Sequence, residues 1–229
     1  MCGLFGWAKV KGEMDDRENS RSEPEILAHI TQLASRRGPD CCGLWIDGDL
    51  WRGYHTKKGY EWQSVTRNIT VRDANYHLPF GPRRILLGHF RLATGLPSTQ
   101  VETQPLVLGN LALTHNGAVE NYSALVEEHQ PHLRTSIDSE LLLWLIHRAD
   151  GSLEQRLRAA LELAHMGAAW ALALTDGAEL ILVNRNLNLY ALEKDGSLYW
   201  CSVRPGVEWD ALAGTKVVGL SPVRPSPTG

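Results

Sequence analysis

The sequence is poor in the features that define several large classes of protein. It holds four cysteines in 229 residues, at Cys2, Cys41, Cys42 and Cys201, with no Cys-x-x-Cys pair and no His-x-x-x-His partner. That excludes a disulfide framework and a zinc ribbon or finger. Charge of one sign is not in excess, since 23 Lys plus Arg stand against 26 Asp plus Glu for a net charge of −3. A protein whose main task is coating nucleic acid or an anionic membrane is thereby excluded. No stretch approaches the ~18 apolar residues of a membrane-spanning helix, the longest candidate being broken up around Glu140 to Arg148. The opening Met-Cys-Gly-Leu-Phe-Gly-Trp lacks the basic and long apolar segments of a signal peptide. The expected compartment is the cytoplasm, where thiols stay reduced. There is no Gly-x-Gly-x-x-Gly or Walker-type loop. No repeat recurs at a period of about 20 to 50 residues.

What is present is an ordinary globular composition, 43% hydrophobic and 21% charged, on a chain long enough to bury a sizeable core. An apolar run from Leu4 to Val10 predicts a buried strand, and a polar loop follows over 11–22. Ile26, Leu27, Ile30 and Leu33 recur at helical spacing and predict a helix over 23–36, with Ser22 as N-cap and Pro24 in the first turn. Asp47-Gly48-Asp49 between the runs 42–46 and 50–54 is a hairpin signal. Residues 56–82 are polar and irregular and predict a long connection. Strands are expected at 85–89 and 111–115, and helices at 123–129, 139–148 and 152–166. Four strand-like runs, at 168–175, 180–184, 189–193 and 198–203, then close the chain. Strands fall in hairpin-like neighbours with helices grouped in the middle, which favours an α+β fold with antiparallel sheets. Residues 2–220 read as one domain, and 221–229 as a Pro-rich, disordered tail.

Cys2 is the unusual cysteine. Once Met1 is removed, its thiol and a free α-amine share one residue, with unperturbed pKa values of about 8.5 and about 7.7–8.0. The amine can take the thiol's proton, so the residue is nucleophile and base together. Four polar clusters follow in order: Arg36-Arg37-Gly38-Pro39-Asp40, Gly88-His89-Phe90-Arg91-Leu92-Ala93-Thr94-Gly95, Thr114-His115-Asn116-Gly117-Ala118-Val119-Glu120-Asn121-Tyr122, and Ser136-Ile137-Asp138-Ser139-Glu140. With Cys2, these motifs resemble the class II glutamine amidotransferase domains of the N-terminal-nucleophile hydrolase superfamily, over roughly residues 2 to 205. Arg-Gly-Pro-Asp looks like asparagine synthetase. His-Asn-Gly with Glu-Asn-Tyr looks more like glucosamine-6-phosphate synthase and the phosphoribosyl amidotransferase.

The resemblance implies a four-layer αββα sandwich of two antiparallel sheets. It implies cleavage of the side-chain amide of L-glutamine through a thioester on Cys2, with no metal or organic cofactor. It assigns the oxyanion donors to the Asn116 amide and the Gly117 N–H, substrate binding to Arg91, Thr94 and Asp138, and support of the nucleophile's loop to Arg37. These residue types suit those tasks: an arginine fork matches a carboxylate, and an aspartate pairs with an ammonium. Plainer readings stay open beside them. Asn116-Gly117 is also a type I′ hairpin signal, Asp138 an N-cap candidate, and Arg91 a strand residue able to exit to solvent. His89 and His115 read as structural, Cys41, Cys42 and Cys201 as buried packing residues, and Trp7, Trp45, Trp144 and Trp170 as core.

The chain departs from the family at Ala93-Thr94-Gly95, where a substrate-side histidine is missing, and at Arg185-Asn186 and Cys201-Ser202-Val203. It also shows no pyrophosphate loop, no phosphoribosyl loop and no sugar isomerase region. The expectation is therefore a glutaminase that supplies ammonia to a synthase carried on a separate chain. The alternatives are a γ-glutamyl amide hydrolase of the same fold and a non-catalytic module that senses glutamine. No nucleic-acid or membrane partner is expected.

Overall fold

The computed structural model describes residues 2–11, 22–38, 41–56, 59–65, 70–73, 84–92 and 102–221. Two antiparallel sheets are built from β1 (Gly3–Lys9), β2 (Cys41–Ile46), β3 (Asp49–Thr56), β4 (Gly59–Ser64), β5 (Thr70–Asp73), β6 (Ile85–Arg91), β7 (Leu106–Leu108), β8 (Leu111–Asn116), β9 (Trp170–Thr175), β10 (Glu179–Arg185), β11 (Tyr190–Lys194), β12 (Ser197–Cys201), β13 (Asp210–Ala211) and β14 (Gly214–Gly219). The larger runs β13-β11-β12-β1-β6-β2-β3-β4-β5, and the smaller β14-β10-β9-β8-β7. The helices are α1 (Ser22–Ser35), α2 (Tyr122–His129), α3 (Asp138–Arg148) and α4 (Leu153–Leu163).

Side-chain alternation along the strands produces the layers. Leu4 and Ala8 of β1, with Ile85 and Leu87 of β6, face Ala112, Ala171, Ala173, Leu180 and Leu182 of the smaller sheet. The intervening Phe5, Trp7, Leu86 and Phe90 turn to the other side, where Ile30 and Ala34 of α1 cover them. On the smaller sheet, Leu111 and Leu113 face outward and are covered by Leu141, Leu142, Leu145 and Ile146 of α3 and by Leu153 and Leu157 of α4. The result is the helix–sheet–sheet–helix order that the resemblance implies. Trp7, Trp45 and Trp170 are buried, and Trp144 packs partly buried against the outer cluster with Arg148 stacked over its ring. Cys41 and Cys42 point to opposite sides, and none of the four cysteines is joined in a disulfide.

The turns follow residue chemistry. Asp47 and Gly48 (φ 46° and 96°) join β2 to β3, and Asp195 and Gly196 (φ 51° and 69°) join β11 to β12. Both are two-residue loops with positive φ at each position, the pattern of type I′ hairpins. Helix α4 opens with a capping box: Ser152 Oγ accepts from Gln155 N, and Gln155 Oε1 accepts from Ser152 N.

Three expectations are corrected. The connection expected over 56–82 contains β4 and β5, which pair with the edge of the larger sheet. Their sequences, GYEWQS and TVRD, offer no apolar run. The closing strands are not four, because β13 and β14 follow; β14 pairs with β10 on one side only and is half exposed. The last helix ends at Leu163 rather than 166, because Met166 bridges Val119 and Gly167 N donates to Ala118 O. Of the tail expected over 221–229, residues 222–229 lie outside the described residues.

Candidate active site

At one end of the sandwich the apolar layer between the sheets gives way to polar groups. Along β6 the inward positions are Ile85, Leu87, His89 and Arg91, so the alternation that builds the core delivers a histidine and then an arginine to its rim. Asn116, the last residue of β8, faces them from the other sheet. Cys2 immediately precedes β1, the strand next to β6, and Gly3 pairs with Phe90. A side chain at Gly3 would place its Cβ 2.1 Å from the Ala34 carbonyl oxygen, so only glycine lets α1 lie against the first residue of β1.

These groups meet. The Leu92 N–H donates to Cys2 Sγ over 3.5 Å. Asn116 Nδ2 donates to the Cys2 carbonyl at 3.2 Å, and its Oδ1 lies 3.1 Å from His89 Nε2. Cys2 is half-buried, whereas His89 is 1% exposed. Burial pushes the His89 pKa down to about 4; its bond to Asn116 acts the other way, while the nearby positive charges of Arg91 and Arg52 lower it further. The imidazole is therefore neutral at physiological pH.

The start of β1 is held by Ser202, which Arg37 holds in turn. Leu4 N donates to Ser202 Oγ at 3.0 Å, and Ser202 N donates to Leu4 O at 2.8 Å. Arg37 Nη1 donates to the Ser202 carbonyl at 2.6 Å. Arg37 thus reaches the loop of Cys2 through Ser202, a connection invisible in the spacing of the two residues. Ser202 lies in one of the segments where the sequence departs from the family pattern.

Asn116-Gly117 is not a hairpin. After Asn116 the chain runs on to Val119, which bridges Met166, and β8 pairs with β7 and β9 instead of folding back at Gly117. Gly117 has φ 147° and no room for a side chain: a Cβ would lie 2.5 Å from Trp170 Cβ and 2.8 Å from His115 Nε2. Asp138 is not the N-cap of α3, since Ile137 takes that place. Its Oδ2 instead accepts from Val119 N at 2.8 Å, tying the start of α3 to the loop that carries Gly117. Glu140, in the same motif, accepts from the backbone N–H groups of Arg134 and Thr135 and from the Thr135 hydroxyl. Burial works to raise its carboxyl, but these bonds outweigh it and hold the group below the ordinary range.

Arg91 does not exit to solvent. Its Nη1 donates to the Glu102 carbonyl at 2.9 Å and lies 3.3 Å from Glu102 Oε2. Of the expected site residues, Cys2, Arg37, Arg91, Asn116, Gly117 and Asp138 gather at this end, while Thr94 lies outside the described residues. Sequence reasoning missed Glu102 and Ser202 and left His89 with no link to the site. Only the inward parity of His89 with Arg91 could have signalled it. No group of three or more metal-binding side chains occurs among the described residues, and no helix among them is long and apolar enough to cross a membrane.

No family model matches the chain. The glutamine–fructose-6-phosphate aminotransferase (isomerizing) of Bacillus subtilis strain 168 is 30% identical over 193 residues, covering 81% of this chain and 29% of that protein. The enzyme of the same name from Sulfolobus acidocaldarius is 27% identical over 151 residues, 64% of this chain and 23% of that protein. The chain therefore spans less than a third of the length of these curated relatives. Among solved structures, the glutamine phosphoribosylpyrophosphate amidotransferase of B. subtilis superposes with a TM-score of 0.66 at 21% identity, over 96% of this chain and 48% of that one. An allosteric regulatory enzyme of purine biosynthesis gives 0.62 at 21% identity, over 88% of this chain and 42% of that one. These two share the fold of the sandwich described above.

Proposed function

The chain belongs to the class II glutamine amidotransferases of the N-terminal-nucleophile hydrolase superfamily, and from that premise we propose that it hydrolyses the side-chain amide of L-glutamine at Cys2. The observation that carries the reading is the convergence of Cys2 with Asn116 across two different sheets, at 3.2 Å from Nδ2 to the Cys2 carbonyl. With Met1 removed, the α-amine of Cys2 takes the thiol proton, and the sulfur attacks the amide carbon. The Asn116 amide has two N–H donors; one is engaged by the Cys2 carbonyl and the other serves the developing oxyanion together with the Gly117 N–H. The amine returns its proton to the leaving nitrogen, ammonia departs, and water cleaves the γ-glutamyl thioester to glutamate.

Arg91 is the group for the substrate carboxylate, and Asp138 for its ammonium, with Thr94 a further binding residue. Asp138 also holds the Val119 N–H and so steadies the turn that presents Gly117. Arg37 supports the nucleophile through Ser202. The ammonia is proposed to pass to a synthase on a separate chain. The support for an acceptor is that the matched relatives carry the name of an aminotransferase.

The test is glutamate and ammonia release from glutamine by the protein with a native N-terminus. Cys2→Ala should abolish both products. A retained N-terminal extension should do the same by blocking the amine. Parental glutamate release from Cys2→Ala would refute the mechanism, and preference for another γ-glutamyl amide over glutamine would move the assignment to that substrate.

A further inference from the structure

The imidazole of His89 is buried, faces inward, and touches one functional atom, Asn116 Oδ1 at 3.1 Å. Its other nitrogen, Nδ1, has no hydrogen-bond partner among the described residues. Among the described residues the contact with Asn116 is thus the hydrogen bond of this ring.

The orientation of the Asn116 amide follows from what lies on each side. The Cys2 carbonyl can only accept, so the NH2 end of the amide must face it. Oδ1 is then turned to His89, and the imidazole must present a donor there, which makes it the Nε2–H tautomer. The opposite amide orientation would set Asn116 Oδ1 against the Cys2 carbonyl, two acceptors facing one another. His89 therefore opposes rotation of the amide from one side while Cys2 opposes it from the other.

We propose that His89 is a positioning residue for the oxyanion donor: by donating Nε2–H to Asn116 Oδ1, it fixes the direction in which the amide N–H points at the reacting carbonyl. The inference rests on the glutaminase reading for its catalytic consequence, but its geometric content stands independently. The mechanism needs no proton from His89. The imidazole stays neutral because burial holds its pKa at about 4. The neighbouring backbone leaves it little freedom, since His89 pairs with Leu4 of β1 on one side and Gly43 of β2 on the other.

The experiment compares His89→Leu, which removes the donor, with His89→Gln, whose side-chain N–H can take the place of Nε2–H. A lost oxyanion donor costs about 10²–10³ in kcat in other acyl-transfer enzymes, so a misdirected one should cost about tenfold or more. The expected pattern is a fall in kcat for His89→Leu with KM little changed, and recovery of most of the loss in His89→Gln. Alkylation of Cys2 by iodoacetamide builds no oxyanion, so its rate should stay near parental in both variants. Parental kcat in His89→Leu, equal loss in both variants, or a parallel fall in alkylation would overturn the proposal. Nitrogen-15 spectra of the imidazoles give an arm free of turnover. The expected result is Nε2–H at His89 in the parent, with faster exchange of that proton in Asn116→Ala. An Nδ1–H tautomer would refute the positioning role even in an active enzyme. An inactive parent with the Nε2–H signature would instead count against the glutaminase reading alone.

Discussion

His89 and His115 occupy matching places in the two sheets and do different things. Each lies near the C-terminal end of its strand, each is buried, and burial pushes each down to about 4. His89 faces the layer between the sheets and meets Asn116 beside Cys2. His115, one residue before Asn116, has the opposite parity and faces α3. There its Nδ1 lies 2.9 Å from Ser139 Oγ, and Gln104 bridges its backbone N–H and carbonyl. One residue of register separates a group that touches Asn116 beside Cys2 from one that clamps a helix to a sheet. The difference teaches that parity on the strand, more than residue type or burial, decides which polar group serves the site.

The largest expected effect tests what the two histidines share. A histidine whose folded pKa lies near 4 against about 6.5 unfolded binds its proton more readily in the unfolded state over that interval. Stability is therefore full above about pH 6.5 and falls as pH drops toward 4, by roughly 3 kcal/mol per histidine. The positive charges of Arg91 and Arg52 add to the loss at His89, and Asp138 offsets part of it at His115. Urea unfolding between about pH 7 and 4 should show the decline, and His89→Gln should remove close to half of it. An acid limb unchanged in that variant would mean that water reaches the ring.

The next effects separate the two clusters. Asn116→Ala, on the inward side, should lower the kcat of the folded protein by about 10²–10³, and by stranding His89 Nε2 it should also cost about 1–3 kcal/mol of stability. Gln104→Leu, on the outward side, strands the backbone groups of His115 and should cost about 1–3 kcal/mol per orphaned group, with turnover per folded molecule retained. Steady-state kinetics paired with thermal unfolding of both variants checks this. Loss of turnover in Gln104→Leu at a temperature where it remains folded would break the division.

Much of this arrangement was legible in the sequence, and the reason is physical. The strands carrying the site are central ones, β1, β6 and β8, whose long apolar runs announce them. Their terminal polar residues stand out because each follows such a run. What escaped were strands at the sheet edges, β5, β7, β13 and β14, and β4 next to the edge, which complete the sheets by backbone pairing. Contacts between distant segments also escaped, since neither Ser202 against Leu4 nor Glu102 against Arg91 leaves a local pattern. The hairpin alternative left open at Asn116-Gly117 fails for a related reason. Gly117 is needed because Trp170 and His115 crowd it, a demand made by neighbours in space and not by a turn. Parity was available from the outset: His89 and Arg91 share a face with Ile85 and Leu87, while His115 and Asn116 cannot share one.

The smallest effect concerns the rim of the inward cluster. Arg91 and Glu102 are each partly exposed, at 21% and 24% of their side-chain surface, so solvent screens the pair and its contribution to stability is modest, about 1 kcal/mol or less. Its consequence for binding is more telling. An incoming carboxylate on Arg91 would enter beside the Glu102 carboxylate, and like charges at that separation oppose one another even under screening. Glu102→Gln removes the opposing charge while leaving the bond from Arg91 Nη1 to the Glu102 backbone carbonyl in place. KM for glutamine should therefore fall severalfold with kcat near parental, and the gain should shrink as salt is raised. A rise in KM would show that the carboxylate aims the guanidinium instead of competing for it. In that case the inward row would consist of two residues that each need a partner to point them, His89 acting on Asn116 and Glu102 on Arg91.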